Sequence, residues 1–210
     1  RKKHNIASVN LSLGGGRYKG SCDRDAISRT VNLLSRAGIA VVIAAGNESY
    51  TDSVASPGCV SEAVTIGSTD KRDGVARYSN SNKMIDLWAT GSDINAAVPG
   101  GGYGTKSGTS MAAPHVAGAM AILKGRYPNA SLPQLVSLIK SEGPTVRDRR
   151  NGIERVRLDL AAAINAGDAK FGAPDGSKTP EKPEDPDKDG GDGLGGLVPN
   201  LLDGLLGGGK

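Results

Sequence analysis

Aromatic residues are scarce in this chain, with one tryptophan, one phenylalanine and five tyrosines among 210 residues. Lysines and arginines number 26 against 22 acidic residues, for a net charge of +4. With few rings to stack bases and its basic residues dispersed, the chain has an ordinary solvated surface and not that of a nucleic-acid binder. No run of 18 apolar residues occurs, so the sequence offers no candidate for a helical membrane span, and no signal-peptide pattern is present. Two cysteines, Cys22 and Cys59, allow one disulfide and no multi-cysteine metal site. Histidine is as rare, with only His4 and His115.

Charge is unevenly spread. Residues 168–210 hold five lysines and nine acidic residues, a net of −4 that leaves +8 for the part before them. That acidic, proline-rich stretch, followed by glycine-leucine repeats without helical or strand period, predicts a flexible tail behind a folded unit of residues 1–167. Asp185, Asp187, Asp189 and Gly190 match the first half of a calcium loop, but Gly196 stands where the bidentate glutamate belongs, so a charged linker is expected.

Within the folded unit, Ile6 to Leu13 alternates as a strand and runs into a turn at Gly14-Gly15-Gly16. Asp25 to Ala37 places Ile27, Val31 and Leu34 on one helical face, with Gly38 as its C-terminal cap. Ile39 to Ala45 and Ala63 to Ser68 are short unbroken apolar runs. Such strands alternating with helices predict an α/β fold, a mostly parallel sheet with helices on both faces. Ser110 to Lys124 is small and apolar on nearly every side, as in a helix buried in the core. Ser131-Leu132-Pro133-Gln134 reads as a capping box with an early proline, and a last helix spans Leu158 to Ala166, stopped by Gly167.

One string carries chemistry: Gly108-Thr109-Ser110-Met111-Ala112-Ala113-Pro114-His115-Val116-Ala117-Gly118. A serine at a helix N-terminus has free backbone N–H groups and the positive end of the helix dipole beside its hydroxyl, which favour developing negative charge. Small neighbours let a peptide backbone approach. Serine is also a common N-cap, which alone would not require the whole string.

The string resembles the nucleophile motif of the subtilisin-like serine peptidases. Val9-Asn10-Leu11-Ser12-Leu13-Gly14-Gly15 is similar to that family's substrate-pairing strand and Val42-Ile43-Ala44-Ala45-Gly46-Asn47 to its oxyanion segment. Ala55-Ser56-Pro57 resembles the base of its first specificity pocket, and Tyr78-Ser79-Asn80 matches a further stretch. The resemblance covers Ile6 to Gly167 and implies a subtilisin-like three-layer α/β fold. It also implies that Ser110 attacks the scissile carbonyl while the Asn47 side chain and the Ser110 N–H hold the oxyanion. Asn47 read alone is a turn residue after Gly46, but an uncharged amide keeps its proton and can be aimed at charge that appears only in the transition state. Ser12, Leu13 and Gly14 on one side and Ala44, Ala45 and Gly46 on the other would pair with an extended peptide. Small Ala55 would leave the pocket deep, with Glu48 at its rim, which suits large or basic side chains.

The sequence departs from the family in its base. A serine hydroxyl needs a neighbour to take its proton, and the family uses a histidine oriented by an aspartate. His115 lies five residues along the helix from Ser110, about 140° round it, and His4 in Lys3-His4-Asn5 does not resemble the family's histidine motif. The family's acid and histidine motifs precede the segment with which this chain opens, so an N-terminally truncated peptidase, inactive as given, is expected. The alternatives are an inactive peptide-binding module that keeps the groove, and the related carboxyl-type serine peptidases, which resemble Met111-Ala112-Ala113-Pro114 less. In the family's arrangement Cys22 and Cys59 lie at the same end of the sheet, so a bridge between them is expected to clamp the loops around the pocket; two buried free thiols are the alternative. A bridge implies secretion. The reading includes a monomer acting on protein substrates, with no required cofactor and no assignable calcium site.

Overall fold

The computed structural model describes residues 5–173. His4, the tail beyond residue 173 and its calcium half-loop lie outside the described residues. In chain order the elements are β1 (Ser8–Leu11), β2 (Gly15–Tyr18), α1 (Ser28–Arg36), β3 (Ala40–Ala44), β4 (Val54–Ser56), β5 (Val64–Thr69), β6 (Leu87–Thr90), β7 (Ile94–Ala97), β8 (Tyr103–Lys106), α2 (Thr109–Arg126), α3 (Leu132–Ser141), β9 (Thr145–Arg147), β10 (Glu154–Val156) and α4 (Leu160–Phe171).

The main sheet is parallel throughout in the order β1-β3-β5-β6, with Val9 opposite Val41, Val42 opposite Val64 and Ile66 opposite Leu87. Both faces are buried, as the unbroken apolar runs require. Ala40, Val42 and Ala44 of β3 join Ile66 and Leu87 in a core with α2, α3 and α4, while Val41, Ile43 and Ala45 join Val31 of α1, Trp88 and both cysteines on the other side. The remaining strands form three antiparallel pairs, β2 with β4, β7 with β8 and β9 with β10. Helix α3 begins as its sequence predicts: Ser131 Oγ accepts from Gln134 N, the Gln134 side chain accepts from Ser131 N, and proline occupies the first turn.

Two expectations fail. Helix α2 is not enclosed on all sides. Ala112, Ala113, Val116, Ala117, Met120 and Leu123 are buried, but Pro114, His115, Gly118 and Ala121 are exposed and Ile122 is 51% exposed. Small residues all round a helix remove the amphipathic signal without saying which side is covered. Helix α4 does not stop at Gly167 but runs to Phe171 and ends at Gly172, whose φ is +83°. Gly167 is packed against the Tyr127 ring, where a Cβ would come within 2.6 Å of three ring and hydroxyl atoms. The folded unit therefore continues past residue 167. Asp168, counted above with the tail, accepts two hydrogen bonds from Arg126, at 2.8 and 2.6 Å, and one from Tyr127.

Candidate active site

Ser110 is the second residue of α2, so its N–H has no carbonyl four residues back in the helix. The turn before the helix is made by close backbone approach. A Cβ on Gly91 would come within 2.5 Å of the Gly108 carbonyl oxygen, and Gly108 N donates to Gly91 O at 2.9 Å. Pro114 has no N–H, so the carbonyl of Ser110, four residues earlier, loses its helical donor. Ser12 supplies the missing bond, its hydroxyl donating to Ser110 O at 2.8 Å. In return, Ser110 Oγ donates to Ser12 O at 3.4 Å, and Asn10 Nδ2 donates to Ser12 Oγ. The end of β1 and the start of α2 thus lock together through the residue types of both motifs.

Asn47 follows β3 and is exposed. Its Oδ1 accepts from Thr109 N at 2.8 Å and from Thr109 Oγ1 at 3.0 Å. A backbone N–H can only donate, so the atom facing Thr109 is the oxygen, and Nδ2 is the end left over. Thr109 Oγ1 also accepts from Gly46 N at 3.1 Å, which commits its own proton to Asn47. The position one bond out from Gly108 Cα, where a Cβ would sit, is 3.5 Å from Asn47 Nδ2 and 3.6 Å from both Ser110 N and Asn47 Oδ1, the oxygen already engaged by the two Thr109 donors. Two uncharged donors border one small space, which the missing side chain of Gly108 leaves open.

The other residues singled out in the sequence gather around this pair. Ala55 is fully buried and lies between Gly14 and Gly46, whose Cβ positions would be 3.1 and 3.0 Å from its own Cβ. Ala45 N donates to Ile66 O, Ala45 O accepts from Ala55 N, and Gly46 N donates to Thr109. The N–H groups of Ala45 and Gly46 are therefore already used, and these residues form wall, with Ala44, at 3% exposure, beneath them. Ser12, Leu13 and Gly14 are exposed, Leu13 at 55%. Cys22 and Cys59 are bonded to each other, with Cα atoms 5.3 Å apart, and Cys22 N donates to Cys59 O. His115 is not brought to Ser110; its Nδ1 lies 2.8 Å from Met111 O on its own helix.

Two further residues of this site are not legible in the sequence. Thr109 stood inside the motif, but nothing in a string shows that its side chain fixes an amide 62 residues away. Asn80 ends the stretch Tyr78-Ser79-Asn80, whose sequence assigns it no role. It is fully buried beneath the Asn47 loop, and residue type alone does not distinguish such an asparagine from a turn former.

The Subtilase family model matches residues 2–162. The chain is 36% identical over 175 residues to an alkaline serine exoprotease A from Vibrio alginolyticus, a match covering 82% of this chain and 31% of that protein. It is 42% identical over 127 residues to an intracellular serine protease from Paenibacillus polymyxa, covering 59% and 37%. Among solved structures, a cold-adapted subtilisin-like serine proteinase superposes with a TM-score of 0.62 at 34% identity, covering 75% of this chain and 56% of that one. A protease from Pseudoalteromonas arctica gives 0.65 at 32%, covering 76% and 51%. The chain spans about a third of the length of the curated relatives it matches. The turn into α2, the parallel sheet beneath it and these matches together make the chain a member of the subtilase family of serine peptidases.

Proposed function

We propose that this chain is the nucleophile-bearing part of a serine endopeptidase, in which Ser110 attacks the scissile carbonyl and Asn47 Nδ2 with the Ser110 N–H holds the resulting oxyanion. The observation that carries this reading is the Asn47 amide, turned by Thr109 so that its N–H₂ end borders the same space as Ser110 N. Donors fixed before the reaction cost no reorganisation when charge appears. Ser110 also requires a base. His115 is tied to Met111 O, so the base and the carboxylate that orients it come from outside the described residues, on an upstream segment. An extended peptide pairs with Ser12, Leu13 and Gly14 against the wall of Ala44, Ala45 and Gly46. Ala55 floors the first pocket, which takes large or basic side chains with Glu48 beside it. The protein acts as a monomer and outside the cell; the Cys22–Cys59 bridge supports the extracellular setting, since disulfides persist in oxidising compartments.

Steady-state kinetics on the chain joined to an upstream segment bearing the acid and histidine tests this. Peptide hydrolysis should appear, vanish in Ser110→Ala, and fall in Asn47→Ala through kcat far more than through KM. In a subtilisin, the same family's well-studied member, loss of this donor lowers turnover about 100- to 1000-fold, a magnitude carried over from that enzyme. Turnover unchanged in Asn47→Ala removes Asn47 from the mechanism. A second reading, a groove that binds peptides without cleaving them, rests on the lack of any base at Ser110 among the described residues. It predicts tight peptide binding with no Ser110-dependent turnover in the joined protein.

A further inference from the structure

Asn80 is fully buried, and its side chain has no unused hydrogen-bonding capacity. Nδ2 donates to Ala45 O at 3.0 Å and to Glu48 Oε2 at 2.6 Å, while Oδ1 accepts from Glu48 N and Tyr50 N, both at 3.0 Å. An asparagine amide has two donor hydrogens and two acceptor lone pairs, so all four are spent on one loop. The backbone adds three more links, from Asn80 N to Gly46 O, Ser49 N to Tyr78 O and Ser81 N to Tyr50 O. Gly46 has φ +102°, and a Cβ there would lie 2.3 Å from Asn80 Nδ2, so the loop backbone rests directly on this amide. Residues 45, 46, 48, 49 and 50 are each tied to the segment 78–81. Asn47, in the middle, is held through its side chain by Thr109.

The segment is gripped from its other side as well. Arg150 Nη1 donates to Arg77 O at 2.7 Å and Nη2 to Ser79 O at 2.9 Å. Asn151 Nδ2 reaches Ser81 Oγ at 2.9 Å, Ser81 O at 3.2 Å and Thr51 O at 2.8 Å. Carbonyls 77, 79 and 81 thus face the β9–β10 turn, while Tyr78 O and the Asn80 side chain face the loop. The stretch enters through a turn in which Ser79 N donates to Ala76 O at 2.9 Å. Asp148, 1% exposed, fixes Arg150 through its backbone N, Nε and Nη2.

We propose that Asn80, backed by Arg150 and Asn151, is a positioning residue for the oxyanion donor. In this brace the β9–β10 turn fixes residues 77–81, and Asn80 fixes the backbone on either side of Asn47, so that Nδ2 stays aimed at the reaction while Thr109 sets its rotation. The inference rests on the catalytic reading above, and its test separates the two.

The first arm needs no turnover. In the chain itself, the side-chain amide pair of Asn47 is identified in a ¹⁵N–¹H spectrum as the pair lost in Asn47→Ala. It should shift or broaden in Asn80→Ala and in Arg150→Lys, which keeps the charge beside Asp148 but cannot bridge two carbonyls. An unmoved Asn47 pair in folded Arg150→Lys and Asn80→Ala overturns the brace, and Arg150→Lys decides alone if Asn80→Ala does not fold. The second arm uses the active joined protein. Asn80→Ala should lower kcat at least about tenfold with KM changed less than about twofold, and should add less than about twofold to Asn47→Ala, because residues acting as a unit are non-additive. Equal losses in both backgrounds, or a loss confined to KM, overturn the inference while leaving Ser110 and Asn47 in the mechanism. No effect of Asn47→Ala itself overturns the catalytic reading, and the spectrum then still decides whether the brace exists.

Discussion

The two faces of the parallel sheet are covered by different means. On one, α2, α3 and α4 pack on Ala40, Val42, Ala44, Ile66, Leu87 and Ala89, a core of helix against sheet. On the other, α1 is the one helix among the described residues that packs into the core, and loops and short hairpins complete the cover around Trp88, with the Cys22–Cys59 bridge inside it. A three-helix layer supplies its own backbone hydrogen bonds, whereas a loop layer must find partners for its polar groups one by one. The second face accordingly carries the Trp88 Nε1 bond to Val146 O, the Asp148 turn and the Asn80 amide. The Asn47 loop between β3 and β4 belongs to this loop-built side, while Ser110 is mounted on the helix-built one.

If the comparison holds, the loop-built face should fail through a few single residues. Trp88 is fully buried, and Gly67 opposite it is bare because a Cβ there would sit 2.0 Å from the indole ring. Trp88→Ala should cost about 3–5 kcal/mol in denaturant unfolding, a large part of the stability of any domain this size. A loss below about 1 kcal/mol would show that the loops close over the gap and that the face is not a packed core. Next in size, opening the bridge by Cys22→Ser with Cys59→Ser removes a link across 37 residues, worth about 3–4 kcal/mol in the loop-entropy estimate. Unchanged stability in the double variant would make the bridge incidental to this face.

The sequence made the helix-built face legible and the loop-built one much less so. Unbroken apolar runs at Ile39 to Ala45 and Ala63 to Ser68 announced strands buried on both sides, and Ser131 and Gln134 announced α3 residue by residue. The string from Gly108 to Gly118 announced the start of α2 because its pattern is local to one helix end. The β9–β10 pair and the roles of Thr109, Asn80 and Asp148 left no such trace, because each depends on partners tens of residues away and on polar residue types that serve equally well in solvated turns. The exposed side of α2 was hidden for a related reason: glycine and alanine fit both a buried contact and an open surface.

A third prediction concerns Asp148. Its burial disfavours charge, but hydrogen bonds from the Arg150 side chain and backbone and from Ser81 outweigh that, and its pKa lies below the ordinary aspartate value. A carboxyl depressed on folding contributes stability that is fully present above the unfolded value, near pH 4, and lost as pH falls through the folded one. Asp148→Asn should therefore cost about 1.5–3 kcal/mol at neutral pH, the scale of hydrogen bonds to a charged group. The gap to the unmodified chain should narrow in unfolding curves taken progressively below pH 4. A gap independent of pH would mean that the charge of Asp148 does not stabilise the turn.

The smallest effect probes the helix-built face, and its sign decides between two accounts of Gly167. Judged by propensity, glycine inside α4 is a weakness, and Gly167→Ala should stabilise the helix by about 0.5–1 kcal/mol. Judged by packing, the added methyl meets the Tyr127 ring at 2.6 Å. That ring cannot swing aside freely, because its hydroxyl lies 2.8 Å from Ile164 O and 2.7 Å from Asp168 Oδ1 and has one proton to share between these two acceptors. Overpacking of this kind costs about 1–3 kcal/mol. Packing exceeds propensity, so Gly167→Ala should destabilise by about 1 kcal/mol and lower Tm by about 2–4 °C for a domain of this length. Placed on Tyr127→Leu, which removes the ring, the same substitution should become neutral or stabilising, since only the propensity contribution is left. A rise in Tm for Gly167→Ala alone would show that α4 shifts away from α2 at little cost, and that the three-helix layer is no better packed than the loops opposite.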